Sequence, residues 1–428
     1  MRKLLLMLFI LLLTSTAWAS VYDYPFINGY EATVLGTPSL YRAALPEKIP
    51  SKMMELTVFA ERKIPEVFWY QNKFRYSFSS QKGEAPLIFV IAGTGASFYS
   101  AKMRVLQKAF YQAGFHVICL SSPTYFNFIV TASKSGVPGN LIEDSRDLYR
   151  VMQLAWEQVK DKIKVSEFYL TGYSLGAAQA AFVAKLDEDR RRFNFRKVLM
   201  INPPVSLYNS VKILDGMLED NIPGGLDHFY EFWEEMMRRL SETYKLMGYI
   251  EFTENFLYDV YRKKGPPSEE FLAALIGISF RISSENMVFA ADVMSNAGFI
   301  VPKNRVLSAT DPLTDYVKVA ARTSFEDYFD GLFYPYFASQ HPGISKEALI
   351  ESMSLKSIEL YLQRARKIGL VTNEDDIILA PGELDYLVKV FGARAKIYPN
   401  GGHCGNIAEK NNINYIVGFF RNERGAGQ

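Results

Sequence analysis

The sequence predicts an α/β fold: a mostly parallel sheet with helices on both faces. Three observations carry it. Continuous apolar runs at 87–91 (Leu-Ile-Phe-Val-Ile), 115–120 and 198–201 have the composition of strands covered on both sides. Stretches with helical periodicity separate them, so strand and helix alternate. The alternation halts over 203–366, where only helical patterns occur, and resumes at 368. A sheet domain interrupted by a helical insertion accounts for all three.

Taken in order, residues 1–19 have the pattern of a secretory signal peptide. Arg2 and Lys3 supply the charge, residues 4–13 are all apolar, and Ala17-Trp18-Ala19 forms a small-residue cleavage site before Ser20. The apolar core falls short of the roughly 20 residues of a comfortable bilayer span, which disfavours an uncleaved anchor. Export to a periplasm or the exterior is expected. Residues 20–85 form an N-terminal segment and the first strands of the sheet. Its stretch 21–66 carries Pro25, Pro38, Pro46, Pro50 and Pro65 and is expected to wrap the surface. Residues 67–70 and 74–78 are expected to pair as a hairpin around Gln71-Asn72-Lys73, the second arm half-buried because aromatic and polar residues alternate in it.

Residues 86–203 form the first part of the core. Strand 87–91 is followed by a helix over 102–112 and strand 115–120. A helix then carries Leu148, Met152, Ala155 and Val159, and strand 168–170, a helix ending near 187 and strand 198–201 follow. Residues 204–366 are the helical insertion, far longer than an ordinary connection. It is expected to act as a cap, the alternative being a separate helical domain. Phe229, Trp233, Met236, Leu240, Tyr244 and Met247 form one stripe in it, and 271–282, 287–294, 325–337 and 348–364 have helical patterns. Residues 367–428 complete the core with strand 368–372, a helix near 384–390, strand 395–398 and a last helix near 413–421.

Composition narrows the function classes. Apolar residues are 49% and charged ones 22%, the values of an ordinary globular chain. Net charge is +2, and losing Arg2 and Lys3 with the leader leaves basic and acidic counts equal, which gives no electrostatic case for nucleic-acid binding. The runs Arg190-Arg191-Arg192 and Arg238-Arg239 are expected to be solvated helix faces. After the leader, no uninterrupted run reaches the roughly 18 apolar residues of a membrane span, so none is expected in the mature chain. Cys119 in a central strand and Cys404 on a loop are both expected to be free. With two cysteines and four scattered histidines, neither a zinc site nor a cofactor is expected.

The most informative segment is Gly172-Tyr173-Ser174-Leu175-Gly176, between strand 168–170 and a helix-forming run. A serine between two such glycines, at a strand-to-helix turn, is held at the tip with its hydroxyl exposed. A serine nucleophile needs a base. His116 falls in a strand, and His228 and His341 fall in the insertion. His403 sits in Gly401-Gly402-His403-Cys404-Gly405 after the last strand, on a loop whose glycines suggest freedom to bring the ring to a neighbour. An orienting carboxylate is expected from Asn373-Glu374-Asp375-Asp376, just past strand 368–372. Asp376 is preferred because the apolar residues after it turn the chain back into the fold, with Asp375 the competitor.

In these residues and their order, Ser174 then Asp376 then His403, the chain resembles the α/β-hydrolase superfamily. The resemblance covers about 86–203 and 369–420. It implies a Ser-His-Asp acyl-transfer mechanism and an oxyanion hole. One donor would be the Leu175 amide, after the nucleophile. The other would be the Thr94 amide in Ala92-Gly93-Thr94-Gly95, with Gly95 as alternative; alanine stands where relatives often have histidine, but the donor is a backbone group. The expected function is an exported serine hydrolase cleaving an ester-type bond (carboxylic ester, lipid or thioester) in a small-molecule or lipid substrate without a cofactor. A peptidase or amidase on the same frame and a non-catalytic binding module are the alternatives.

Overall fold

The computed structural model describes residues 22–232, 234–235, 238 and 267–421. The expected leader and most of the stripe from Trp233 to Met247 lie outside the described residues. Phe229, which begins that stripe, is buried.

Eight strands make one sheet: β1 Lys52–Leu56, β2 Phe74–Ser79, β3 Ala85–Ile91, β4 His116–Leu120, β5 Val165–Tyr173, β6 Lys197–Ile201, β7 Ile368–Asn373 and β8 Ala395–Tyr398. Their spatial order is β1-β2-β4-β3-β5-β6-β7-β8. β2 runs antiparallel to both β1 and β4, and every other pairing is parallel. The predicted α/β class and its mostly parallel sheet are therefore present. Register matters for function. Ile91 stands opposite Leu120 and Gly172, Tyr173 opposite Ile201, Ile201 opposite Val371, and Asn373 opposite Tyr398. The carboxyl ends of the central strands thus share one rim, where open α/β sheets hold their ligands.

The flanking helices are α1 Gly29–Leu35, α2 Ala101–Gln112, α3 Phe126–Thr131, α4 Leu141–Val159, α5 Leu175–Arg190, α6 Leu207–Glu219 and α7 Glu269–Ser295. They continue with α8 Thr314–Arg322, α9 Phe325–Tyr328, α10 Tyr334–Gln340, α11 Lys346–Ser352, α12 Glu359–Arg364, α13 Glu383–Phe391 and α14 Lys410–Arg421. Burial alternates along β3. Phe89 and Ile91 join the core beneath α4 and α5, while Ile88 and Val90 join the core beneath α2 and α14. This double covering explains the unbroken apolar runs. Helix α4 buries Leu148, Met152, Ala155 and Val159 as their spacing predicts, and Asn140 caps it by accepting from the Ile142 and Glu143 amides.

Three expectations are corrected. Residues 67–70 form no strand: Glu66–Phe68 is a 3₁₀ turn whose Val67 and Phe68 are buried, Phe68 against Phe126 and Phe289. In place of the expected hairpin arm, β2 pairs antiparallel with β1, inside the stretch expected to wrap the surface, and with β4 on its other side. Nor is β2 half-buried. Its serines are covered by α2, where the Gln107 Nε2 amide donates to Ser77 Oγ and Ser79 Oγ at 3.0 and 3.2 Å.

Among the described residues of the insertion the regular elements are all helices, joined by turns and loops such as 296–313, apart from an isolated bridge between Ser206 and Ser354. Segments 271–282 and 287–294 belong to one helix, α7. The polar break between them stays helical in its backbone, and there Ser283 Oγ and Ser284 Oγ find their acceptors in the Ser279 and Phe280 carbonyls one turn earlier. By length and composition α7 could cross a membrane, but half of its apolar window is buried inside the protein. Segment 325–337 is α9, a π turn at Phe329–Phe333 and part of α10, while 348–364 divides into α11, a 3₁₀ turn and α12.

Helix α7 is tied to α6 by a buried guanidinium. Arg281, 1% exposed, donates to Asp215 Oδ1 at 2.8 Å, Glu219 Oε1 at 3.1 Å and the Arg322 carbonyl at 3.0 Å. Burial pushes the Asp215 carboxyl up, to about 6, although Arg281 pulls it back. Arg281→Met leaves that carboxylate buried without its partner. A loss of about 3–5 kcal/mol in urea unfolding is expected.

Candidate active site

Ser174 follows β5 and begins α5, with φ 56° and ψ −130°, a conformation unfavourable for a residue bearing a Cβ. Its amide donates to the Ile201 carbonyl at 2.8 Å, which pins the turn to β6. The flanking glycines are sterically required. A Cβ on Gly172 would run into the Gly176 carbonyl, and one on Gly176 into the carbonyls of Ile91 and Ala92. Strand, serine and helix are thereby held against the end of β3, and the hydroxyl faces the rim.

His403 Nε2 lies 2.8 Å from Ser174 Oγ, and His403 Nδ1 lies 2.9 Å from Asp376 Oδ1. The Asp376 side chain is fully buried and the histidine side chain 15% exposed. Ser174, His403 and Asp376 thus stand in one hydrogen-bonded line, each from the end of a different strand. Burial opposes charge on the imidazole. The Cys404 thiol and the Asp376 carboxylate outweigh it, and the ring's pKa stands raised.

The two adjacent aspartates do different things. Asp376 accepts from His403 and from Asn202 Nδ2 at 2.9 Å. Asp375 instead accepts the Gly401 and Gly402 amides at 3.1 and 2.8 Å, which fastens the loop that carries the histidine. That loop is packed, not free. A Cβ on Gly402, at φ 55°, would run into the Gly29 carbonyl and Thr33 of α1. Asn373 Nδ2 donates to the Gly402 carbonyl at 2.6 Å, and the His403 amide donates to Thr33 Oγ1 at 2.8 Å. The loop glycines therefore serve close packing against α1 rather than mobility.

Thr33 and Asn202 went unforeseen in the sequence. Asn202 carries a weak signal, an asparagine directly after a strand; it sits at φ 47°, a conformation asparagine tolerates better than most residues. Thr33 carries none.

For the oxyanion donors, the Gly95 amide is already committed to Thr124 Oγ1 at 2.8 Å. The Thr94 and Leu175 amides donate to no group among the described residues. Thr94 and Ser174 line a common cavity of about 340 Å³, with His403 and Cys404 beside them. Leu214 of α6 and Ile276, Phe280 and Ser283 of α7, all within the insertion, line the same cavity. Cys119 and Cys404 are both free and buried. Among the described residues no cluster of His, Cys, Asp or Glu could hold a metal ion.

No protein-family model and no curated protein sequence matches the chain. Solved structures do. A serine hydrolase from the polyaromatic-hydrocarbon-degrading bacterium Cycloclasticus zankles aligns over 87% of this chain and 98% of its own, at 10% identity and a TM-score of 0.43. Esterase B from Lactobacillus Rhamnosis aligns over 89% of this chain and 86% of its own, at 12% identity and a TM-score of 0.41. Est1E from Butyrivibrio proteoclasticus aligns over 82% of this chain and 96% of its own, at 12% identity and a TM-score of 0.37.

Proposed function

We propose that this chain, which has the α/β-hydrolase fold, is a serine hydrolase that cleaves ester bonds through an acyl-enzyme. The observation that supports it most is the line Ser174 Oγ, His403, Asp376, with spacings of 2.8 and 2.9 Å. In that arrangement Ser174 Oγ bonds to the ester carbonyl carbon while its proton passes to His403 Nε2. The carbonyl oxygen becomes an oxyanion, held by the Leu175 and Thr94 amides. Collapse breaks the carbon–oxygen bond to the alcohol, which leaves with the proton from His403. Water then repeats the sequence on the acyl-serine, releasing the acid and restoring Ser174. Asp376 keeps Nδ1 protonated and offsets the imidazolium charge, while Asn202 and Asp375 position the carboxylate and the histidine loop.

The cap at 204–366 selects the acyl group in this reading, because Leu214, Ile276 and Phe280 give the cavity an apolar roof. Residues 1–19 direct the chain out of the cytoplasm to a periplasm or the exterior. A panel of p-nitrophenyl esters of graded chain length tests the activity: hydrolysis is expected, with an optimum set by the roofed cavity. A folded protein that hydrolyses none of them and resists a fluorophosphonate probe overturns the proposal.

A further inference from the structure

A second cavity, of about 170 Å³, shares Ala101, Lys102 and Cys404 with the cavity around Ser174. Lys102, Arg104 and Lys108 of α2 line it together with Arg42. No acidic residue lines either cavity. The chain as a whole carries almost as many acids as bases, so Lys102, Arg104 and Lys108 gathered in one cavity lining that holds no acidic residue are a local departure. Several surface cations elsewhere are paired: Arg146 with Glu143, Arg150 with Asp147, Lys160 with Glu157. Lys102, Arg104 and Lys108 form no ion pair among the described residues. Arg42 is held in place by its Nε, which donates to the Thr37 carbonyl at 2.6 Å. Lys102 belongs to both cavities, so the positive charge begins beside the serine and runs outward along α2.

We propose that this basic cavity binds a carboxylate or phosphate carried by the substrate, so that the hydrolase selects esters bearing an anionic group. The inference rests on the ester-hydrolase reading above. The reacting carbonyl sits at Ser174 under the apolar roof, and the anion, some bonds away on the same molecule, lies against Lys102, Arg104 and Lys108. Their charge holds it in the ground state and the transition state alike, so the gain falls on KM more than on kcat.

The test compares esters of one length and one leaving group. Mono-p-nitrophenyl esters of dicarboxylic acids are set against p-nitrophenyl esters of the matching monocarboxylic acids, with an ω-phosphorylated acyl ester as a third arm. Wild-type enzyme is expected to favour the anionic esters in kcat/KM by roughly ten-fold. The preference shrinks as salt is raised, since these cations are partly exposed. Lys108→Gln and Arg104→Gln are expected to lower the anionic-to-neutral ratio, and Lys108→Arg to retain it. A ratio that tracks charge in this way excludes a merely structural role. A gain for carboxylate alone or phosphate alone names the group. Equal kcat/KM for anionic and neutral esters overturns the inference and leaves the ester-hydrolase reading standing. Failure on every ester overturns that reading itself.

Discussion

Ser174→Ala is expected to lower kcat by about 10⁶-fold, the scale on which triad enzymes lose rate when the nucleophile is removed. The hydroxyl's hydrogen bond is to His403, and the turn is held by the Ser174 amide and the two glycines, all of which survive the substitution. Thermal unfolding should therefore be nearly unchanged while labelling by a fluorophosphonate disappears. Residual activity of a hundredth or more in a folded variant would place the nucleophile elsewhere. What remains after the substitution comes from the Thr94 and Leu175 amides and from substrate binding.

Asp376→Asn is expected to cost about 10⁴-fold in kcat with the fold intact, because an asparagine no longer fixes Nδ1 as the protonated nitrogen. The neighbouring carboxylate supplies the control. Asp375 accepts two loop amides, and asparagine keeps only one acceptor oxygen. Asp375→Asn is expected to cost about 1–3 kcal/mol of stability, with a far smaller loss of rate. Equal, mild kinetic losses in both variants would reject Asp376 as the orienting acid. The pH profile gives an independent sign. The base must be neutral to take the serine proton, and its pKa is raised, so wild-type kcat/KM falls as pH drops through that raised value. Removing the Asp376 charge takes away part of what raises the ring. The acid limb of Asp376→Asn should then move to lower pH even though its plateau is far lower.

The parts of the site that could be read from the sequence are those whose signal is local. Gly172 and Gly176 are dictated by clashes within the turn and with the strand end beside it. Asp376 and His403 announce themselves by following apolar strands. The parts that could not be read depend on which distant segments meet. Thr33 holds the histidine loop from α1, and Asn202 holds Asp376 from the end of β6; each acts through a partner more than 170 positions away. The misread hairpin has the same origin. β1, Lys-Met-Met-Glu-Leu, lacks the β-branched pattern of a strand and earns its place only by pairing with β2. In the run at 67–70, Phe68 is buried against Phe126 of α3 and Phe289 of α7, while Trp69 and Tyr70 are exposed. The pattern of α7 reads as two helices because Ser283 and Ser284 interrupt its apolar stripe, although the helical backbone runs through them from Glu269 to Ser295.

The bond from the His403 amide to Thr33 Oγ1 spans 370 positions of the chain. It gives the protein a timetable. During synthesis Ser174 and its elbow are complete long before residue 403 exists, and the base can settle only when the last strand has returned to the first helix. Contacts between chain ends form late because closing so long a loop is entropically costly. A partly made or partly threaded chain would therefore carry Ser174 without His403 beside it, and the proposed activity would begin only when the two segments have met.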